Sequence, residues 1–247
     1  VNRADTTLYD ALTGALAVIP SVQVEPRAAL RRHTRFGIGG EVALLVDVCS
    51  EDSLIAVLDQ IREANASLVV IGGGTNLVVS DDGFDGVVVR YRASRIEALS
   101  NRVRIGAGAE LQSLVDRTIE LGLSGMHTMT RIPGWVGAAV YGNAGAYGHS
   151  IHEFVREVIY LDRGRIGTLD NAGCQFTYRE SVFKRNKNWI ILGVELELPE
   201  GDPLVLRTEA EKIRAIRDAK YPPDMRCAGS IFKNRLYAEL PPQAAAA

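Results

Sequence analysis

Cysteine is scarce: three residues in a chain of 247, at Cys49, Cys174 and Cys227. The number is odd, the three are widely separated and no C-x-x-C spacing occurs, so neither a cysteine metal knuckle nor a redox dithiol is suggested, and a reducing, cytoplasmic setting fits best. Excess positive charge is also missing. Twenty-eight Lys and Arg against 30 Asp and Glu leave a formal net charge of -2, too little cationic surplus to grip phosphate backbones, so nucleic acid is not an expected partner. No apolar run approaches the roughly 18 residues that would cross a bilayer. A membrane partner is therefore not expected, and Asp5 and Asp10 stand where a secretory signal would be basic. The four histidines make no metal site on their own: His33 and His127 are isolated, and His149 with His152 and Glu153 lacks a third placed ligand. With 47% hydrophobic and 23% charged residues, the chain reads as soluble and globular, able to bury the core of one large domain or two small ones.

Glycine, by contrast, is concentrated. Residues 132–148 carry Gly134, Gly137, Gly142, Gly145 and Gly148 with Ile132, Pro133, Ala138 and Asn143 among them. That pattern is neither an ordinary strand nor an ordinary helix. It leaves main chain bare enough for a flat ligand to lie against, although a buried crossover that needs close backbone packing would use the same residues. A second cluster, Gly72-Gly73-Gly74-Thr75-Asn76, can turn several N–H groups toward one point, as an anion nest does. It follows a strand expected to be buried at 68–71, which closes a strand (43–48), helix (51–64, capped by Ser50), strand unit. The residues after it, 77–80 and 86–90, read as β segments around an Asp81-Asp82-Gly83 turn. Neither a P-loop nor a doubly wound dinucleotide fingerprint fits, because both would open a helix; a ligand-free triple-glycine hairpin stays open. Gly106-Ala107-Gly108 reads as a turn, since Leu111 fills the third glycine position of a fingerprint.

Elsewhere, residues 1–30 read as a helical appendage, with Leu8, Leu12 and Leu16 following a Thr6/Thr7 cap. Residues 154–162 and 189–198 read as paired strands, the alternation of Val194, Leu196 and Leu198 against Glu195 and Glu197 marking one half-buried face. Arg163-Gly164-Arg165 is a hairpin turn and 207–219 a helix, with a boundary near Pro199–Pro203. Arg179 and Lys220 lie in apolar or aromatic sequence surroundings near loops. Such cations need an acid (Glu180, Asp218 or Asp224) or an anionic ligand. Cys227 has no paired histidine, and Ser230 stands in A-G-S-I-F rather than a G-x-S-x-G elbow, so a hydrolase triad is unsupported.

Four stretches taken together, residues 72–77, 132–148, 178–184 and 228–234, resemble the UDP-N-acetylenolpyruvoylglucosamine reductase family in order and spacing, also called the MurB family or UDP-N-acetylmuramate dehydrogenases. The likeness runs over about residues 31–234. It implies an α+β chain with the two-subdomain FAD-binding fold of the MurB and vanillyl-alcohol-oxidase-like type (31–92 and 93–200), followed by the start of a third, substrate-binding domain (201–247). It also implies a bacterial, cytoplasmic enzyme of peptidoglycan precursor synthesis that uses NADPH, through FAD, to reduce the enolpyruvyl ether of a UDP-sugar. By the resemblance, Arg179 and Ser230 are catalytic, and Tyr147, Arg217, Lys220 and Asn234 bind substrate. FAD is held by Gly72, Gly73, Gly74, Thr75, Asn76, Ile132, Pro133, Gly134, Gly137, Ala138, Asn143 and Gly145. Thr75 and Asn76 occupy the loop where related oxidases carry a flavin-linking histidine, so FAD is expected to be non-covalent. The short link 198–207 leaves no room for the tyrosine-bearing loop of one branch of the family. The sequence also departs from the pattern: Trp135 and Ala138 replace small residues, Arg235 replaces a proline, and no segment matches the family's C-terminal glutamate. The alternative is a non-catalytic FAD-binding fragment or paralogue.

Overall fold

The computed structural model describes residues 3–229. Helix α1 (Arg3–Ala17) begins ahead of Thr6 and Thr7, so neither threonine caps it, and Leu12 and Leu16 are buried. Residues expected to form an appendage are thus part of the body. Val22–Ala29 is strand β1, paired antiparallel along its length with β2 (Glu41–Val48). Helix α2 (Glu51–Glu63) starts as its sequence dictates. The Ser50 hydroxyl accepts from the Ser53 amide at 3.3 Å, Glu51 and Asp52 sit on the positive end of the helix dipole, and Leu54, Val57 and Ile61 face inward. Strands β3 (Leu68–Val70) and β4 (Phe84–Tyr91) complete a four-stranded sheet of order β1-β2-β4-β3. Both β2 and β3 run parallel to β4. The central strands are apolar on both faces, as parallel strands covered on both sides must be: Leu44, Val46, Val87 and Val89 join the main core, while Val42, Leu45 and Val88 form a smaller cluster with Ala28 and Leu30.

Two expectations fail here for one reason. β3 is an edge strand bonded only to β4, so Leu68, Val69 and Val70 are 39%, 42% and 37% exposed instead of buried. Because β3 and β4 are parallel neighbours, no tight hairpin can join them. Residues 71–83 make the return crossing as an irregular loop, and the β segment expected at 77–80 is absent.

The second sheet has order β10-β9-β11-β6-β5 and is antiparallel throughout. Its strands are β5 (Ile96–Leu99), β6 (Arg102–Gly106), β9 (Val155–Asp162), β10 (Arg165–Asp170) and β11 (Ile190–Glu197). The turn Arg163-Gly164, both at positive φ, joins β9 to β10, matching the twist of a two-residue hairpin. β11 is central, so Glu195, expected to face solvent, is buried. Arg104 (2.6 Å) and Arg156 (3.0 Å) pair with it, and the Arg104 guanidinium holds its carboxyl below the usual carboxylate range. Between β6 and β9 come α3 (Leu111–Glu120), a 3₁₀ turn (Met126–Met129), α4 (Val136–Tyr141) and the two-residue strands β7 (Gly145–Ala146) and β8 (His149–Ser150). α4 lies inside the glycine-rich stretch. α5 (Val182–Arg185) precedes β11, and α6 (Pro203–Lys220) follows it. α6 begins at Pro203 rather than near Arg207, because Asp202 accepts from the Leu204 amide at 2.8 Å and proline suits a first helical turn.

Candidate functional site

The two glycine clusters, some sixty residues apart in sequence, face each other. Thr75 Oγ1 donates to the Pro133 carbonyl at 3.3 Å. A Cβ on Gly134 would stand 2.7 Å from Thr75 Oγ1, and one on Gly72 would stand 3.1 Å from Ala138 Cβ. Gly74, at φ +67°, has its missing Cβ only 1.9 Å from the His33 carbonyl oxygen, while its own carbonyl accepts from Arg35 N at 3.0 Å. No other residue type fits there. Among the described residues, the main-chain N–H groups of Gly72, Gly73, Gly74, Thr75, Asn76, Gly134 and Trp135 donate to no protein acceptor. Seated in two facing loops, these donors suit an elongated anionic ligand such as a dinucleotide diphosphate. By contrast, the Gly106-Ala107-Gly108 turn is spent on the fold. Gly108 N donates to Ala93 O, Ala107 N to Leu192 O, and Ala107 O accepts from Gly137 N.

The cradle rests on a partly buried charge cluster. Asp47 on β2 accepts from Arg90 on β4 (2.5 and 2.7 Å) and from Arg92 just past its end (2.7 Å). Burial pushes the Asp47 carboxyl up, but the two guanidiniums outweigh it and hold the carboxyl below the usual range. Arg90 also donates to His33 Nδ1 at 3.0 Å; burial and Arg90 keep that imidazole neutral by lowering its pKa. Arg92 reaches on to Trp135, its guanidinium carbon 5.7 Å from the ring centroid, and Trp135 Nε1 lies 3.0 Å from where a Gly73 Cβ would be. Trp135 therefore fills the space beside the first loop and forms a wall, with Arg92, Ser94, Glu110 and Ser113, of a cavity of about 290 Å³. Two cations and one carboxylate leave net positive charge behind the loop. Sequence reading missed this platform, although two arginines two apart at the end of an apolar parallel strand (Val89-Arg90-Tyr91-Arg92) are its trace.

α4 leads from the second loop to Asn143, a buried residue in left-handed conformation (φ +43°). Its side chain donates to Thr177 O at 2.9 Å, and its carbonyl accepts from Arg179 Nη1 at 3.4 Å. Arg179 Nη2 donates to Gly145 O at 2.9 Å. Asn143, Gly145 and Arg179 are thus brought together. Arg179, at φ +58° in the reciprocal Thr177–Glu180 turn, is exposed, and its surroundings are aromatic rather than apolar: its guanidinium carbon lies 5.5 Å from the Tyr178 ring centroid. The expected alternative, a bridge to Glu180, is not made; Glu180 pairs with Lys184 at 3.3 Å. Tyr147, also left-handed, is half exposed.

Arg217 and Lys220 lie near the end of α6. Lys220 is exposed, with Nζ 5.4 Å from the Tyr221 ring centroid. Its candidate partner Asp218 is taken by Arg131. Arg217 stacks on the same ring at 5.8 Å, and its Nε is buried without a hydrogen-bond partner. The chain then returns to the cradle: a Cβ on Gly229 would lie 3.5 Å from Asn76 Oδ1. Ser230 and Asn234, together with Arg235, lie outside the described residues. His149 pairs with Glu153 (2.9 Å) and His152 with Ser150 (2.6 Å), and among the described residues no cluster could hold a metal.

Residues 42–167 match the model of an FAD binding domain. A berberine bridge enzyme variant, described as a reticuline dehydrogenase, superposes with a TM-score of 0.58 at 15% identity over 78% of this chain and 44% of its own, a likeness of fold alone. The fold and the paired glycine loops define a flavin-dependent oxidoreductase. Closer likenesses narrow the class. The UDP-N-acetylenolpyruvoylglucosamine reductase of Solibacter usitatus is 49% identical over 93% of this chain and 74% of its own length, and that of Bacillus subtilis 35% identical over 84% and 69%. The crystal structure of the Thermus caldophilus enzyme superposes with a TM-score of 0.73 at 28% identity, over 87% of this chain and 76% of that one. The chain belongs to the UDP-N-acetylenolpyruvoylglucosamine reductase family.

Proposed function

We propose that this chain binds FAD without a covalent link and, with NADPH as reductant, reduces the enolpyruvyl double bond of UDP-N-acetylglucosamine enolpyruvate to give UDP-N-acetylmuramate. The observation that carries the reading is the convergence of two loops whose main-chain donors are unengaged, joined through one short helix to the Asn143–Gly145–Arg179 cluster. In the bound state FAD supplies the hydride carrier between NADPH and substrate. Gly72–Asn76 and Gly134–Trp135 would hold its diphosphate by main-chain N–H groups, with the Arg90–Arg92–Asp47 platform adding positive charge behind them.

Arg179 has the part of an electrostatic stabiliser. Two carbonyls fix its guanidinium, and the donors left over can face the carboxylate of the substrate, where negative charge grows as the double bond is reduced. Arg217 and Lys220 would engage the anionic UDP-sugar, with Tyr147 and Asn234 as further substrate contacts. Ser230 would give its hydroxyl proton to the substrate carbon that does not receive the hydride, nearby cations stabilising the alkoxide left behind.

The test is an anaerobic visible spectrum of the purified chain, followed through NADPH and then the enolpyruvyl substrate. Bleaching and recovery of a flavin spectrum are expected. In the Ser230→Ala variant, bleaching should survive while recovery slows by about a hundredfold or more. Absence of bound flavin would overturn the cradle assignment, and equal slowing of both steps would remove Ser230 from its role.

A further inference from the structure

We infer that Arg131 and Asp218 are a positioning pair that locks the second glycine loop to the C-terminal half of α6, so that the flavin cradle and the substrate cations keep one relative placement. The inference rests on the reading of that cradle as the FAD site and assigns a task to two residues outside its motifs.

Arg131 immediately precedes Ile132-Pro133-Gly134 and has a φ of +65°. That left-handed conformation is unfavourable for a residue with a Cβ, whereas glycine adopts it freely. Arginine at this position is explained by its side chain. Nε donates to Asp218 Oδ1 at 2.7 Å and Nη2 to the same oxygen, while the Arg131 amide donates to Gln112 Oε1 on α3 at 2.8 Å. The two side chains are only 33% and 36% exposed, so this is not a freely solvated surface pair.

α6 needs such a link. Its anchors in the core are Leu206 and Ala210, both in its first half, and Ile216 is 57% exposed. Among the described residues no apolar side chain of α6 beyond Ala210 enters the core. Glu209 meets His127 Nε2 at 3.1 Å in mid-helix, and Arg214 stands a full 4.0 Å from Asp116. The Arg131–Asp218 pair is therefore the last tight tie before Lys220 and before the segment that returns to Asn76 at Gly229. At its other end it holds a loop whose Pro133 carbonyl receives Thr75 and whose Gly134 carbonyl receives Leu111 N at 2.9 Å. Without Asp218, only the amide bond to Gln112 remains to offset the left-handed backbone of Arg131. That residue relaxes, the loop shifts and the end of α6 loosens.

Three variants of the full chain test this, with FAD affinity read by equilibrium dialysis and backbone hydrogen exchange read over residues 211–220. Asp218→Asn should bind FAD about tenfold more weakly and exchange faster over 211–220. Arg131→Gly should keep FAD affinity within about twofold, because glycine takes the same φ without strain, yet exchange as fast as Asp218→Asn. The double variant should regain the affinity lost by Asp218→Asn without regaining slow exchange, a recovery that general destabilisation would not produce. Unchanged affinity and exchange in Asp218→Asn would overturn the proposal, as would a double variant no better than that single one. If the unsubstituted chain took up no FAD, the functional reading would fail. The exchange comparison would still decide the tie, with slow 211–220 amides in Asp218→Asn refuting it.

Discussion

At the scale of single residues, burial and charge do more than the motifs reveal. Asp47 and Arg90 form a buried pair, with the half-exposed Arg92 as a second partner, and removing the carboxylate leaves the Arg90 charge buried and uncompensated. Asp47→Asn is expected to cost about 3 to 5 kcal/mol of unfolding free energy in urea titrations at pH 7. The pH dependence follows from the lowered carboxyl. Its contribution is complete above the ordinary aspartate value of about 3.9 and is lost as pH falls through the lower native value. The acid limb of stability below pH 4 should be shallower in Asp47→Asn; an unchanged limb would place the acid sensitivity elsewhere. Cys174 is the opposite kind of buried group. Burial pushes its thiol up to about 12, which suits packing and not nucleophilic chemistry. None of these environments could be read from composition, because Asp47 and Arg90 meet only through the parallel register of β2 on β4.

At the scale of elements, what was legible depended on whether a segment answers to local rules. α2 carries its own cap, charge bias and inward face, and its bounds came out nearly as the sequence implied. The glycine clusters were equally plain, since few other demands explain such runs. β3 and the loop after it were misread because their identity comes from a neighbour: a parallel pairing with β4 turns an expected hairpin into a crossing and leaves β3 at an edge. The Arg131–Asp218 pair was invisible for a related reason, joining residues 87 apart. A glycine comparison tests the element-level account. Gly74→Ala must push against the His33 carbonyl and should abolish flavin retention on a desalting column. Gly14→Ala, in α1 with nothing within 4 Å, should raise stability by about 0.5 to 1 kcal/mol and leave flavin untouched. Flavin retained by Gly74→Ala would show that the first loop does not need its present path.

For the whole molecule, two sheets share a single main core, and among the described residues no helix is long and apolar enough to cross a membrane. Two of its four histidines, His33 and His127, are held neutral chiefly by burial. His127 accepts from the Gly125 amide on Nδ1, so its Nε2 carries the proton that faces Glu209. With native pKa values below the free value of about 6.5, the folded state takes up fewer protons than the unfolded one as the pH drops. Stability should therefore be flat above about pH 7 and decline between about 6.5 and the native values. His127→Phe should reduce that decline, and thermal midpoints at pH 7.5 and 5.5 that move in parallel with those of the unsubstituted chain would remove His127 as its source.

The stacking of Trp135 on Arg92 beside Gly73 has a practical consequence. The chain has only two tryptophans, and Trp189 is packed on Tyr160 with ring centroids 4.5 Å apart, against the second sheet. One indole thus borders the flavin cradle and the other reports on the body of the protein. Emission from Trp135 should be quenched as FAD enters, and in a Trp135→Phe variant most of that signal should disappear while the unfolding transition seen by Trp189 remains. Trp135 would then give the chain an intrinsic optical gauge of cofactor occupancy.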